Sequence, residues 1–388
     1  MNKTVLMIIG TRADAIKMAP VIEVIRADSD LVPLVVATSQ HREMLDQVLD
    51  AFDLSVDIDL DIMRHRQTLT DVTVRAFEGL EDVFAKHKVD LTIVQGDTTT
   101  SFVGGLVSFY HGKAVAHVEA GLRTYDLSRP FPEEANRRML DALSTLLFPP
   151  TERAKEQLLM ENLPEKAMLV TGNTAIDSLL RVAKMDRPIS DPEIRAIAED
   201  GSRRLVIVTA HRRESFGAPF QRLIGALKRI AVAHPEVDLV YPVHLNPNVD
   251  VPVREALSGV SGVHLVPPMD YLDFTKLMAA CDFVLTDSGG IQEEAPALGK
   301  PVVVLREVTE RPEGIEAGVA RLVGTDEDAI VAAADELLVD KEAYRRMSRK
   351  AFLYGDGKAS ERIHAVVRKK LGLDADEPEP FVPWIEEF

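Results

Sequence analysis

Short apolar runs alternate with longer stretches whose apolar residues recur every three or four positions. In the first half the short runs are 4–9 (TVLMII), 33–38 (PLVVAT), 90–95 (DLTIVQ), 113–118 (KAVAHV) and 144–148 (STLLF). Between them, IKMAPVIEVIRA, HREMLDQVLDAF, LTDVTVRAFEGLEDVFAKH and SFVGGLVSFYH each carry one apolar side and predict helices. The short runs are apolar throughout, as in strands covered on both faces. That predicts an α/β layer with a mainly parallel sheet.

The pattern then restarts. Runs at 205–210 (LVIVTA), 237–243 (VDLVYPV), 263–266 (VHLV), 282–286 (DFVLT), 301–305 (PVVVL) and 319–323 (VARLV) predict a second set of strands. Helices such as FQRLIGALKRIAVAH, LDFTKLMAA and EDAIVAAADELLV separate them. The segment 164–204 carries the prolines and charges of a crossing between domains. We expect a boundary near 175, with domains over 1–175 and 176–360 and a C-terminal helix and tail over 361–388. The tail, DADEPEPFVPWIEEF, begins acidic and proline-rich, and its aromatics suggest that its last residues dock. Ligands of such folds bind outside the carboxyl ends of the strands, so the turns after strands are the ones to weigh.

Composition narrows the class. A chain of 388 residues exceeds the size of a single core, in line with two domains. No apolar run is long enough to span a bilayer, and MNKTVLMIIGTR reads as a first strand, not a leader. The single cysteine, Cys281, sits in LMAACDFVLT as a small buried hydrophobe and cannot form an intramolecular disulfide. These features predict a cytoplasmic protein with no membrane partner. A net charge of −17 argues against a nucleic-acid surface. It leaves room for an anionic small molecule, because charges beyond about 8 Å are screened.

Four turns carry cations or free amides. Gly10 ends a strand and Thr11–Arg12 open a helix, so amides and an arginine face one point, with Lys17 about one and a half turns on. The turn is not GxGxxG, so the nicotinamide fingerprint is absent there. Ser288, Gly289 and Gly290 in TDSGG open another helix, where backbone amides can approach a diphosphate or Ser288 can simply cap. Glu294, one turn on, could accept from ribose hydroxyls. His211, Arg212 and Arg213 follow a strand directly and call for an anion, as does Arg311 in TERPEG. His244 in YPVHLNPN follows another strand. Neither His211 nor His244 stands in a metal-ligand spacing, and no metal site is expected.

The remaining signals are acidic. Asp97 in QGDTTTS and Glu119 in HVEAGLRT follow adjacent apolar runs, and Glu133 in RPFPEEANRR lies where a proline-flanked segment can fold over them. Crowded carboxylates repel, so one pKa rises and the set can supply both an acid and a base. Glu133 and Glu134 also fit the acidic first turn of a helix begun by Pro132.

Nine motifs stand in order: GTRADAIKMAP, TSQHREMLDQ, QGDTTT, HVEAGLRT, PEEANRR, AHRRES, YPVHLNP, TDSGGIQEEAPALGKP and TERPE. Together they resemble the non-hydrolysing UDP-N-acetylglucosamine 2-epimerase family, from residue 3 to about 362. The resemblance implies two Rossmann-like domains facing across a cleft, similar to the GT-B glycosyltransferases. It also implies a last helix returning to the first domain and a homodimer. It implies interconversion of UDP-GlcNAc and UDP-ManNAc without a cofactor, by anti elimination of UDP to a 2-acetamidoglucal and re-addition. By position, Asp97, Glu119, Glu133 and His211 match the family's catalytic residues. Arg12, Lys17, Arg212, Ser288, Gly289, Gly290, Glu294 and Arg311 fall at UDP-holding positions. Gln40, Arg66, Gln67 and His244 match a site for a second UDP-GlcNAc acting as an allosteric activator. The sequence departs from the family at Ala13–Asp14, where Pro-Glu is usual, and we expect a looser helix start there. The alternatives are a hydrolysing relative releasing ManNAc and UDP, a GT-B glycosyltransferase, or a nucleotide-sugar-binding module without turnover.

Overall fold

The computed structural model describes residues 2–38, 48–49, 51–64 and 66–387. The chain divides into two compact units. Unit 1 spans Met1–Ser178 and Tyr354–Val382; unit 2 spans Leu179–Leu353 and Pro383–Phe388.

Among the described residues, unit 1 has six strands: β1 Lys3–Ile9, β2 Leu31–Ala37, β3 Ile58–Asp59, β4 Leu91–Gln95, β5 Ala114–Val118 and β6 Leu146–Phe148. Their order is β3-β2-β1-β4-β5-β6, and every neighbouring pair is parallel. The strand order reverses between β1 and β4, so the loops leaving those two strands diverge at the carboxyl edge. This is the switch point of a doubly wound sheet. Gly10–Thr11 leave β1 there, and Gly96–Asp97 leave β4. The last five residues of β1 are all buried, as expected where helices cover both faces.

Local chemistry sets the element ends. Thr98 accepts from the Ser101 amide at 3.2 Å and starts the next helix at Thr99, two residues before its apolar pattern begins. Ser144 terminates the helix Glu133–Leu143, which shortens the 144–148 run to β6. The predicted helix over 41–52 lies largely outside the described residues. The segment 164–204 holds more order than its prolines suggest, with helices Thr174–Lys184 and Pro192–Glu199. In the second of these, Pro192 occupies the first turn, where its missing N–H costs nothing, and Asp191 caps the end.

Unit 2 repeats the topology. Its strands are β7 Arg204–Thr209, β8 Val237–Pro242, β9 Val263–Val266, β10 Phe283–Thr286, β11 Val302–Val304 and β12 Ala320–Leu322, ordered β12-β11-β10-β7-β8-β9 and all parallel. The reversal lies between β7 and β10, which deliver Ala210–His211 and Asp287–Ser288 to one edge. Val206, Val208, Leu239, Phe283 and Leu285 anchor the core behind it.

After Leu353 the chain rejoins unit 1. The helix Ala359–Lys370 lacks a side-chain cap of its own. Instead, Asp177 accepts from the Ser360 amide at 2.8 Å and the Ala359 amide at 3.3 Å. Farther along, His364 meets Asp28 at 2.6 Å, and Arg368 pairs with Asp28 and with Asp30. The tail aromatics do dock. Phe381 is buried in unit 1 with its amide on the Val170 carbonyl. Trp384 stacks on Phe352 in unit 2, where β13 Ala351–Phe352 pairs with β14 Trp384–Ile385. No helix among the described residues is long and apolar enough to cross a membrane.

Candidate active site

Glu119 is the focus of the unit 1 edge. It directly follows β5 with φ +67°, a left-handed backbone that a side chain such as glutamate rarely adopts. Three donors converge on its carboxylate. Lys17 Nζ lies 2.6 and 2.7 Å from the two oxygens, the Gln95 amide donates to Oε2, and Asn173 Nδ2 donates to Oε1 at 3.3 Å. Lys17 comes from the helix Arg12–Arg26, so the strand-β1 turn and the strand-β5 turn meet through this ion pair.

Asp97 leaves the neighbouring strand. Arg137 binds its carboxylate, and Asn136 Nδ2 donates to its carbonyl at 3.0 Å. Burial pushes the Asp97 carboxyl above the usual range, Glu119 adds to that rise, and Arg137 and Lys17 pull against it. Repulsion between carboxylates is thus present, but burial is the larger cause.

Glu133 opens the helix that supplies Asn136 and Arg137. It is half-buried and forms no ion pair among the described residues. Its neighbour Glu134 does more than sit in an acidic first turn. Fully buried, it accepts from the amides of Thr124 and Tyr125 at 3.0 Å each and so ties down the loop after Glu119.

The expected loosening at Ala13–Asp14 does not occur. Thr11 and Asp14 form a reciprocal capping box, and Asp14 Oδ2 also accepts from the Gly10 amide at 3.1 Å. The shorter carboxylate turns back onto the backbone of its own turn. Arg12, beside it, is half-buried.

In unit 2, Asp287 organises the edge. Its Oδ2 accepts from the backbone amides of His211 and Arg212 at 2.7 and 2.8 Å, which binds the strand-β7 turn to the strand-β10 turn. The His211 ring stacks on His244 at 5.1 Å and presents Nδ1 3.7 Å from Asp287 Oδ1. Burial holds the His211 pKa down; Asp287 draws it up, while His244 and Arg212 depress it further. Ser288 precedes the helix Gly289–Ala297 but makes no capping bond with its side chain. Arg311 lies directly over Gly289, where a Cβ would come within 2.8 Å of its guanidinium carbon. Glu293 holds Arg311 in place at 2.9 Å. Glu294, half-buried, follows on the same helix. These groups offer backbone amides and cations to a diphosphate.

Of the residues assigned to a second nucleotide sugar, Gln40 lies outside the described residues. Arg66 is exposed with φ +58°, and Gln67 accepts from the Arg64 amide. Both belong to unit 1, whereas His244 belongs to unit 2. Sequence reasoning missed Gln95, Asn136, Asn173 and Asp287. Gln95 and Asp287 lay inside quoted motifs, but nothing in a linear pattern marks Asn173, whose partner is 54 residues away.

The family model described as UDP-N-acetylglucosamine 2-epimerase matches residues 23–368. A Yersinia pestis UDP-N-acetylglucosamine 2-epimerase is 50% identical over 365 residues, 92% of this chain and 96% of its own. The crystal structure of UDP-GlcNAc 2-epimerase from Neisseria meningitidis bound to UDP-GlcNAc superposes with a TM-score of 0.84 at 43% identity, covering 94% of this chain and all of that one. The S. aureus MnaA–UDP co-structure superposes with a TM-score of 0.86 at 42% identity, covering 98% and 100%.

Proposed function

The chain belongs to the UDP-N-acetylglucosamine 2-epimerase family, and from that premise we propose that it interconverts UDP-GlcNAc and UDP-ManNAc without a cofactor and without releasing free sugar. The C2–H of a hexose is not acidic enough for direct removal. Departure of UDP with the C1–O electron pair builds positive charge at C1, which acidifies C2–H. A base takes that proton and a C1–C2 double bond forms. Delivery of a proton to the other face of C2, with return of the UDP oxygen to C1, gives the epimer. Nothing is consumed.

The observation that carries this reading is the pairing at the unit 1 edge. Asp97 and Glu119 end adjacent parallel strands, are electrostatically coupled, and differ in their partners. Asp97, with its raised pKa, is the base at C2. Glu119, both oxygens already engaged by donors, holds charge and geometry. Glu133, with no ion pair among the described residues, is the acid on the opposite face. The amides of Ser288, Gly289 and Gly290, with Arg311, Arg212, His211 and Arg12, stabilise the departing diphosphate. Glu294 accepts from the ribose hydroxyls. Gln40, Arg66, Gln67 and His244 bind a second UDP-GlcNAc that activates the enzyme, which works as a cytoplasmic homodimer.

Proton NMR of the protein with UDP-GlcNAc in D₂O, without added cofactor, tests the reading. The expected result is UDP-ManNAc with deuterium at C2 of both nucleotide sugars. Free ManNAc plus UDP would assign a hydrolysing reaction, and UDP binding without turnover would leave only a binding module.

A further inference from the structure

Asp287 needs only one of its two carboxylate oxygens to bind the unit 2 turns together. Oδ2 takes the amides of His211 and Arg212 at 2.7 and 2.8 Å. Oδ1 belongs to a side chain that is only 1% exposed, and it makes no hydrogen bond among the described residues. A carboxylate oxygen shut away from water without a donor is costly, and native folds keep such groups rarely. The atom it faces is Nδ1 of His211 at 3.7 Å, about 1 Å too far for a hydrogen bond.

The surroundings hold that pair ready. Tyr241 donates its hydroxyl to the Ala210 carbonyl at 2.6 Å, and Asp287 holds the next amide, so the backbone at His211 is fixed on both sides. The His211 ring lies against His244 with the two planes 7° apart. His244 is fixed in turn, because the Asn246 amide donates to its Nδ1 at 3.0 Å. A ring movement of about 1 Å closes the gap, and hydrogen bonds of this kind tighten once a ligand is engaged. None of these contacts uses His211 Nε2. The charged and titratable groups acting on the ring are Asp287, His244 and Arg212. Burial, His244 and Arg212 all disfavour a charged imidazole; Asp287 is the group among them that favours one.

We propose that Asp287 is a positioning residue for His211: its Oδ1 takes the Nδ1–H of the ring, fixes that tautomer and leaves Nε2 for the diphosphate. When the ring takes up a second proton from solvent, Nε2–H becomes a charge-assisted donor to a phosphate oxygen, and Asp287 balances the new charge. That proton stays on nitrogen as the C1–O bond breaks and charge grows on the departing UDP. An amide in place of the carboxylate would still offer its carbonyl oxygen to the two backbone amides. Its NH₂ would then face Nδ1 and force the opposite tautomer. The role toward the diphosphate rests on the functional reading above; the pairing of Asp287 with His211 does not.

The test is ¹⁵N spectroscopy of the histidine-labelled full chain at pH 8, where His211, with its pKa held below 6.5, is neutral. The signal lost in His211→Gln should show a proton on Nδ1 and a bare Nε2. A bare Nδ1 overturns the proposal, and this measurement needs no altered Asp287. Asp287→Asn should switch the same signal to the Nε2–H form; an unchanged tautomer overturns Asp287 as its cause. In activity, Asp287→Asn should lower kcat on the order of 100-fold. UDP affinity should stay within about threefold, because a neutral Nε2–H still donates to the bound diphosphate. Lost UDP affinity with kcat retained would make Asp287 a brace for the turns and overturn the positioning role. Absence of epimerisation in the wild type would remove the functional reading while leaving the tautomer result standing.

Discussion

Asp97 carries the sharpest prediction at the scale of single residues. Its pKa is raised above the 3.8 of an ordinary aspartate, and the base proposed for C2 works only when ionised. The acidic limb of kcat/KM should therefore lie above that value, with activity lost as pH falls through it. Asp97→Asn should bind UDP as the wild type does yet lose C2 deuterium exchange by a factor on the order of 10² to 10⁴; retained exchange would reassign the base. Asp14 makes a prediction about stability. Burial lifts its carboxyl to about 6, against the bonds from Thr11 and Gly10 that favour the ion. A raised folded-state pKa means stability that is full below 3.8 and is lost as pH rises through 6. Relative to Asp14→Asn, the wild type should lose on the order of 1 kcal/mol between pH 5 and 7.5. Urea titrations of both proteins at the two pH values measure it. Asp177 is raised in the same direction, so the comparison with the variant is what isolates Asp14.

At the scale of elements, the turn after β5 is the most constrained. Glu119 has φ +67° and Gly121 φ +86° within three residues. A Cβ on Gly121 would lie 2.3 Å from the Ala154 carbonyl oxygen, part of the backbone of the helix Glu152–Met160. Gly121→Ala should cost roughly 3 kcal/mol or more, since neither the φ nor the neighbouring backbone can yield cheaply; thermal unfolding would show it. Much of this architecture was legible beforehand. Continuous apolar runs such as TVLMII announce strands buried on both faces, and the carboxylates and glycines that follow them fall at the sheet edges. What stayed hidden depends on pairings distant in the chain. Asp287 acts on amides 75 and 76 residues earlier, and Asp141 reaches His117 from a helix whose pattern shows only an acidic start. The Ala13–Asp14 departure misled for a related reason: the missing proline was visible, but the Thr11–Asp14 box that replaces its effect is a three-dimensional fact.

For the whole molecule, the chain enters unit 2 at Leu179 and comes back to unit 1 at Tyr354. The returning helix is clasped by Asp28. His364 and Arg368 outweigh burial and hold that carboxyl down to about 2. A depressed pKa means stability present above 3.8 and lost only as pH falls through 2, so the clasp is complete at neutral pH. Asp28→Asn should weaken it, and limited proteolysis should then cut within 354–382 at a protease dose that leaves the wild type intact. Unchanged cleavage would show that the Asp177 cap and Phe381 suffice alone.

Unit 1 begins to emerge from the ribosome first but cannot be completed until the returning segment has been translated. The intervening stretch, Leu179–Leu353, takes on the order of 10 to 30 seconds to synthesise at ordinary elongation rates. Throughout that interval the nascent first sheet waits without its last helix, while the whole strand-β7 to strand-β12 region can already assemble behind it. The half of the chain that bears Asp97 and Glu119 is thus the last to mature.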